Sequence, residues 1–241
     1  MAKEESRALA IVFERDAGPG VFAQASGARG VDLDSWIFDG RTAAPRELNG
    51  YDAVLVFGGS MHPDQEDAYP WLAEAKALLR ELLGRGTPLL GVCLGGQLLA
   101  DAVGPPSRRA REPELGWYEV ELTPEGKSDP VLGPLAPRFT AFEWHRHEFR
   151  LPRGGIPLAK SAVCLQAYRV GDTAWGIQFH AEVTPEDADA WIQDDREKQD
   201  ATRIVGDFDA MRKRTRAAMG TWNELGRGLC DRFLAAAATR A

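Results

Sequence analysis

The segment Gly91-Val92-Cys93-Leu94-Gly95-Gly96-Gln97 decides the fold, because it joins a buried strand predicted at 88–92 to an apolar helical run ending at Val103. A cysteine at such a junction is typical of a nucleophile elbow, where small neighbours permit a tight turn and the side chain projects at the sheet edge. The amides and dipole at the start of the helix stabilise a thiolate, the reactive form of cysteine. We therefore interpret Cys93 as a candidate nucleophile, with a buried structural cysteine as the alternative.

Strands and helices alternate through the first hundred residues. Strands are predicted at 8–13, 51–57 and 88–92, because these runs are short, apolar and rich in branched side chains, and a half-buried strand is predicted at 31–38. Residues 67–85 repeat apolar positions at helical spacing, which predicts an amphipathic helix between the last two strands. This alternation indicates an α/β protein with a parallel sheet and helices on its faces.

The second half of the chain has a different pattern. Strand-like runs separated by proline and glycine occur at 117–122, 138–144, 162–168 and 173–179. The segment Thr184-Pro185-Glu186-Asp187 then predicts a helix start, with a capping residue, a first-turn proline and acids at the positive end of the dipole.

The C-terminal stretch carries charges of both signs at helical spacing. We interpret this stretch, from residue 184 to residue 241, as a solvated outer layer of helices. No linker or repeat interrupts the chain. The sequence therefore predicts a single domain over 1–241, with a core at about 8–192 and a helical extension at about 193–241.

The composition argues against several classes of protein. The 241 residues include 36 acidic and 29 basic residues. The resulting net charge of -7 disfavours dominant non-specific binding to nucleic acid or anionic membranes. No apolar run is long enough for a membrane span, so we expect a cytoplasmic protein. The three cysteines, Cys93, Cys164 and Cys230, are too far apart for a disulfide framework or a cysteine-rich zinc site.

A candidate base for the cysteine lies at 176–182, in the segment Gly-Ile-Gln-Phe-His-Ala-Glu. The short apolar strand ends at His180, and Glu182 follows two residues later, on the same side if the strand continues. Glu182 could hydrogen-bond one ring nitrogen and leave the other facing the thiol, as the acid does in a catalytic triad.

These motifs together resemble the class I, or triad, glutamine amidotransferases. FGGSM at 57–61, ELGW at 114–117, FEWHRHEFRLP at 142–152 and WGIQFHAEVTPE at 175–186 resemble its stand-alone branch, often described as GMP-synthase-like. The resemblance implies a doubly wound, mostly parallel, flavodoxin-like sheet with helices on both faces and a helical C-terminal extension. The site would lie at the carboxyl ends of the strands, and the 117–179 region would add antiparallel edge strands.

The resemblance also implies roles for residues. Cys93 would attack the side-chain amide of glutamine to form a γ-glutamyl thioester, His180 would transfer protons, and Glu182 would orient His180. The backbone amides of Gly59 and Leu94 would form the oxyanion hole.

Substrate binding is implied for a second group of residues, and no metal or organic cofactor is needed. These residues are Gly58, Gln97, Trp144, His145 and Arg146.

Three departures from the family pattern stand out. Ala181 replaces the usual proline between the triad histidine and glutamate, and Ser60 replaces a proline after the glycine loop. The branch often shows Gly-Asp where this chain has Arg146 and His147. Arg146 adds a cation that could pair with a substrate carboxylate and alter substrate preference, or it could point to solvent.

Three functions remain open at this stage. The first is a glutaminase that supplies ammonia to a separate synthase subunit, which is implied because no P-loop signature occurs in the chain. The second is a stand-alone γ-glutamyl peptidase or hydrolase with the same triad, and the third is a non-catalytic regulatory or partner-binding protein.

Other notable residues are interpreted as structural: Cys164 in mid-strand, Cys230 on the last helix, His62 in a loop, and Trp71 and Trp191 in the core.

Overall fold

The protein is described by a computed structural model that covers residues 6–135, 137–196 and 198–239. The strands are β1 (Arg7–Val12), β2 (Asp32–Ile37), β3 (Ala53–Val56), β4 (Leu89–Val92), β5 (Arg108–Leu122), β6 (Arg138–Glu148), β7 (Gly155–Lys160), β8 (Leu165–Val170) and β9 (Ala174–Ile177). The helices are α1 (Gly20–Arg29), α2 (Trp71–Gly84), α3 (Leu94–Val103), α4 (Pro124–Lys127), α5 (Pro185–Asp195), α6 (Gln199–Val205) and α7 (Phe208–Ala238).

All these strands form one mixed sheet in the order β2-β1-β3-β4-β9-β8-β7-β5-β6. The first five strands in that order pair in parallel, and the remaining pairs are antiparallel. The predicted α/β fold, with a parallel core and antiparallel strands added at one edge, is therefore confirmed.

The buried strands separate two apolar layers by simple alternation. In β1, Ala8 and Ala10 face the layer that contains α1 and α7, whereas Leu9 and Ile11 face the layer that contains α2 and α3. Successive side chains of a strand point to opposite faces, so a fully apolar run is required when helices cover both.

Among the described residues, no helix combines the length and apolarity that a membrane crossing requires.

Helix α1, the short helix α4 and strand β7 were not predicted from the sequence. Helix α1 begins directly at Gly20 and has ten residues, and its buried residues, Val21, Phe22, Ala25 and Ser26, include only two large apolar side chains, which give a weak periodic signal. Strand β7 contains Pro157, which normally argues against a strand, and its register with β8 shifts around that residue.

Helix α7 corrects the interpretation of the C-terminal stretch as a solvated outer layer. One face is solvated, but the other is buried in the main apolar cluster. Trp222 Nε1 donates to the carbonyl of His180 at 2.8 Å, and Asn223 Nδ2 donates to the carbonyl of Val183 at 2.8 Å. The helix therefore supports the segment that follows β9.

The predicted helix start at Thr184 is confirmed, with a full capping box between Thr184 and Asp187.

The junction between β4 and α3 is packed backbone against backbone. A Cβ atom on Gly95 would lie 2.1 Å from the carbonyl oxygen of Val56, and one on Gly91 would lie 2.7 Å from the backbone of Gly95. Cys93 has φ 51° and is the one non-glycine residue with positive φ among the residues described. The glycines thus let the helix start against the sheet, and the cysteine takes the strained turn position.

We predict that Gly95→Ala destabilises the protein by about 2 kcal/mol or more, because the added methyl group overlaps the backbone of β3. The matched control is Gly220→Ala in α7, where a Cβ meets nothing within 4 Å. That change should stabilise the protein by about 0.5–1 kcal/mol through helix propensity. Urea unfolding of both variants checks the pair, and equal effects would contradict the close packing described for the junction.

Candidate active site

Cys93 lies where β4 ends and α3 begins, and its side chain faces a pocket of about 310 Å³. The residue is 6% exposed, and its N–H donates to the carbonyl of Ile177 on the neighbouring β9 at 2.8 Å. The Nε2 atom of Gln178 lies 3.6 Å from the Cys93 sulfur. The thiol is therefore held at the carboxyl edge of the parallel strands with a small opening to the pocket.

His180 and Glu182 follow β9 and reach the same pocket region. The His180 Nδ1 atom lies 2.7 Å from Glu182 Oε1, and both side chains are buried. Because a carboxylate can only accept a hydrogen bond, this contact keeps a proton on Nδ1 and leaves Nε2 to interact with another partner. A Cβ on Gly58 would lie 3.2 Å from His180 Cε1 and 3.7 Å from Cys93 Cβ, so a side chain there would press against the ring.

The electrostatics of this group favour a charged imidazole. Burial opposes the charge, but the negative charge of Glu182 and the interaction with Cys93 raise the pKa of His180 well above its usual 6.5. The charged form of the ring is therefore stabilised between Glu182 on one side and Cys93 on the other.

The backbone of residues 180–183 is anchored from two helices. The N–H of Val21, at the start of α1, donates to the carbonyl of Glu182 at 2.8 Å. A Cβ on Gly226 of α7 would lie 2.0 Å from the carbonyl of Ala181, which is a backbone-to-backbone contact. With the two α7 hydrogen bonds given above, these contacts orient Glu182 without the proline that the family pattern has at position 181.

Gly59 and Leu94 line the pocket on either side of Cys93. Leu94 is the first residue of α3, and the N–H groups of a first helical turn have no acceptor within the helix. A Cβ on Gly59 would lie 3.3 Å from the side-chain atom Cδ2 of Leu94, so Gly59 packs against the Leu94 side chain. Gly59 and the first residue of α3 thus both border the pocket that Cys93 faces.

The sequence-predicted substrate residues divide into two groups. Gln97, Trp144, His145 and Arg146 line the pocket, whereas Gly58 is a packing residue between Cys93 and His180. The Nε2 atom of Gln97 donates to the backbone carbonyl of residue 147 at 2.8 Å, so this amide supports the pocket wall. The imidazole of His145 is turned into the protein, and only its backbone is available to the pocket.

Arg146 does not extend into solvent. Its Nη2 atom lies 2.9 Å from Asp195 Oδ2, at the end of α5, and the arginine side chain is 20% exposed. The role of Arg146 towards a substrate carboxylate stays a prediction, and any such carboxylate would compete with Asp195 for the guanidinium.

Three pocket residues were missed by sequence reasoning. The rings of His62 and His147 stack with centroids 3.9 Å apart, and Trp191 meets His180 edge to face at 4.8 Å. Trp191 packs against the main apolar cluster, as predicted, and it also lines the pocket. His147 was noted only as a departure from the family pattern. Nothing in the sequence signals that His62 and Trp191 reach the site, because each lies on a separate loop or helix.

The other two cysteines are unsuited to nucleophilic chemistry. Burial, and then the nearby negative charge of Glu114, raise the pKa of the Cys164 thiol. Burial raises the pKa of the Cys230 thiol to about 12. Neither thiol is therefore activated as a nucleophile by its surroundings. Cys164 precedes β8 by one residue, in the turn after β7, which corrects its predicted place in mid-strand.

Comparison with known proteins identifies the family. The model of the class-I glutamine amidotransferases matches residues 21–197, which is most of the chain. The chain belongs to the class-I glutamine amidotransferase family. A crystal structure of a glutamine amidotransferase from Thermotoga maritima superimposes with a TM-score of 0.85 at 27% identity, covering 96% of this chain and 99% of that one.

Two sequence relatives carry more specific names. One subunit of the glutamine-hydrolysing GMP synthase of Halobacterium salinarum is 37% identical over 63% of this chain and 78% of its own length. A γ-glutamyl-L-1-hydroxyisopropylamide hydrolase of a Pseudomonas species is 28% identical over 66% of this chain, and the match spans 55% of that relative. The names of these two relatives thus denote different substrates.

We predict that the stacked pair makes stability depend on pH. Burial, and then the charge of His62, lower the pKa of His147 from 6.5 to about 4. Between those values the unfolded chain binds a proton at His147 that the folded chain does not. The free energy of unfolding therefore falls as pH decreases from about 6.5 towards about 4.

The variant His147→Gln removes this titration and should show a smaller fall over the same interval. Urea unfolding at several pH values from 7 to 4 measures the difference. Parallel stability curves for the wild type and the variant would show that His147 does not contribute to the pH dependence.

Proposed function

We propose that the protein hydrolyses the side-chain amide of glutamine to glutamate and ammonia through a thioester on Cys93. The observation that supports this most strongly is the strained Cys93 at the mouth of the pocket beside the buried His180–Glu182 pair. A nucleophile, a base within reach and a third group that orients the base are the parts that covalent acyl transfer requires.

In the first half-reaction the Cys93 sulfur attacks the amide carbon of glutamine. The tetrahedral intermediate places negative charge on the oxygen, which the N–H groups of Gly59 and Leu94 stabilise. Such fixed donors are worth about 2.7–4 kcal/mol each in other enzymes. Protonated His180 donates its proton to the departing nitrogen, so the C–N bond breaks, ammonia leaves and the γ-glutamyl thioester remains.

In the second half-reaction water attacks the thioester. Neutral His180 takes a proton from the water, the C–S bond breaks, and glutamate leaves while the proton returns to the histidine–thiol pair. Glu182 holds the ring in one orientation and stabilises its positive charge in both half-reactions, consistent with the raised pKa of His180. The residues therefore act without a metal or organic cofactor in this scheme.

Delivery of ammonia to a separate synthase subunit is the use of this reaction that we propose first. The similarity to the Halobacterium protein supports it, since the name of that relative denotes one subunit of a glutamine-hydrolysing synthase.

Hydrolysis of substituted γ-glutamyl amides is the second candidate. The pocket extends from Cys93 past Trp191 to Asp194, Asp195 and Lys198, which leaves polar surface beyond the reacting amide. A leaving amine larger than ammonia would contact this surface. The similarity to the Pseudomonas γ-glutamyl amide hydrolase supports the same candidate.

We predict that the purified protein releases ammonia and glutamate from glutamine, and that Cys93→Ala lowers the rate by about 10⁴-fold or more because the nucleophile is lost. Glu182→Gln should lower kcat by about 10²- to 10⁴-fold, because it removes the negative charge that orients the His180 ring and stabilises its positive charge. The matched control is Cys230→Ala, which deletes a buried thiol in α7 and should retain kcat.

Steady-state product analysis on glutamine and on a panel of γ-glutamyl dipeptides separates the two candidates. A higher kcat/KM for glutamine supports the glutaminase, and a higher kcat/KM for the dipeptides supports the hydrolase. If Cys93→Ala retained turnover of every substrate, both candidates would be refuted together.

A further inference from the structure

A second polar cluster lies behind the pocket wall and has no part in the proposed reaction. Glu114 of β5 stands opposite His145 of β6 in the antiparallel register, and Glu143 lies two residues before His145 on the same face. Cys164, in the turn before β8, completes the group. Glu114 and Glu143 are fully buried, so this interior group has an unusual concentration of charge and metal-binding atoms.

The donor atoms converge at distances that suit one small cation. His145 Nε2 lies 3.1 Å from Glu114 Oε2 and 3.3 Å from Glu143 Oε2, and Cys164 Sγ lies 3.5 Å from Glu114 Oε2. The donor atoms of Glu114, His145 and Cys164 all lie within 4.8 Å of one another. Zinc bonds of about 2.0–2.1 Å to nitrogen and oxygen and about 2.3 Å to sulfur give tetrahedral edges of about 3.3–3.5 Å. The observed spacings match such edges.

Two oxygens in the cluster have no hydrogen-bond partner. Within the described residues, Oε1 of Glu114 and Oε1 of Glu143 accept no hydrogen bond although both are buried, and Glu143 Oε2 has only the 3.3 Å contact with His145 Nε2. Burying a carboxylate without compensating partners is costly. This observation is independent of the spacing, and it points to a positively charged ligand among the oxygens.

The orientation of His145 fits coordination through Nε2. Its Nδ1 atom lies 3.0 Å from the carbonyl oxygen of His147, and a carbonyl can only accept, so Nδ1 carries the proton. Histidine ligands of metals commonly donate their other N–H in this way. Gln166 lies outside the cluster, and its Nε2 atom donates a hydrogen bond to Glu114 Oε2 at 2.7 Å. This hydrogen bond fixes the position of a second metal-ligating atom.

We propose that Glu114, His145 and Cys164 form a metal site for Zn²⁺ or an ion of similar size and softness, with the Glu143 carboxylate, 3.3 Å from His145 Nε2, beside it. Mixed nitrogen, sulfur and carboxylate donors favour zinc over magnesium or calcium, which prefer oxygen ligands. The cluster is buried and has no part in the proposed reaction, so we assign the ion a structural role.

An entry path and a mechanical role follow from the surroundings. A surface depression of about 350 Å³ reaches Cys164 and is lined by residues of the β5, β6 and β8 regions, including Arg108, Glu148 and Leu165. The ion would join β5, β6 and the turn before β8. Because β6 also carries Trp144 and Arg146 of the pocket wall, the ion would hold that wall against the sheet. The inference does not depend on the proposed reaction.

The test is the metal content and thermal unfolding of the full chain. The protein is stripped with a chelator, incubated with Zn²⁺, and passed through a desalting column. We expect about one zinc per chain, a Tm that rises on zinc addition, and, with Co²⁺ instead, the absorption of a tetrahedral site with one thiolate ligand. Cys164→Ala and Glu114→Gln should each weaken zinc binding at least about tenfold.

Two control variants locate the ion. Cys93→Ala and Cys230→Ala should retain wild-type zinc affinity, since neither thiol belongs to the cluster. Cooperative unfolding of the stripped variants verifies that each one folds. Absence of stoichiometric zinc in the wild type, or binding that is lost in Cys93→Ala and kept in Cys164→Ala, would overturn the proposal and leave a proton between His145 and the carboxylates.

Discussion

The contact on which the structure depends is the one between the first turn of α3 and the backbones of β3 and β4. At Gly91 and Gly95 the backbones are too close for any side chain, so the helix must start directly against the sheet. The connection can then be only one residue long, and Cys93 occupies it with φ 51°. The cost of this conformation is balanced by burial of the whole first turn of α3.

The same constraint determines what surrounds the thiol. Because Cys93 stands at the carboxyl edge of β4, its neighbours come from the ends of the adjacent strands, namely the glycine loop after β3 and His180 after β9. The helices α1 and α7 then anchor the backbone of Glu182 and its neighbours. The long C-terminal helix is therefore part of the support of the site, although its composition suggests a solvated layer.

Sequence reasoning predicted the parts that depend on local pattern. Apolar strands and glycine spacing identify the elbow, and the ends of parallel strands share one edge, so the proximity of Cys93 and His180 follows from topology. Helix α1 was missed because it is short and only two of its buried residues, Val21 and Phe22, are large and apolar, and β7 was missed because of Pro157. Trp191 and the Glu114–Cys164 cluster were missed for another reason. Their convergence depends on how distant strands and helices pack, which no local pattern records.

The central claim is that Cys93 is the nucleophile of a site that recognises a γ-glutamyl group. Labelling with a glutamine analogue that carries a chloroketone in place of the side-chain amide tests this claim most directly. Peptide mapping by mass spectrometry should locate one adduct, on Cys93, and excess glutamine should slow its formation. An adduct on Cys164 or Cys230 instead, or a labelling rate that glutamine leaves unchanged, would contradict the account.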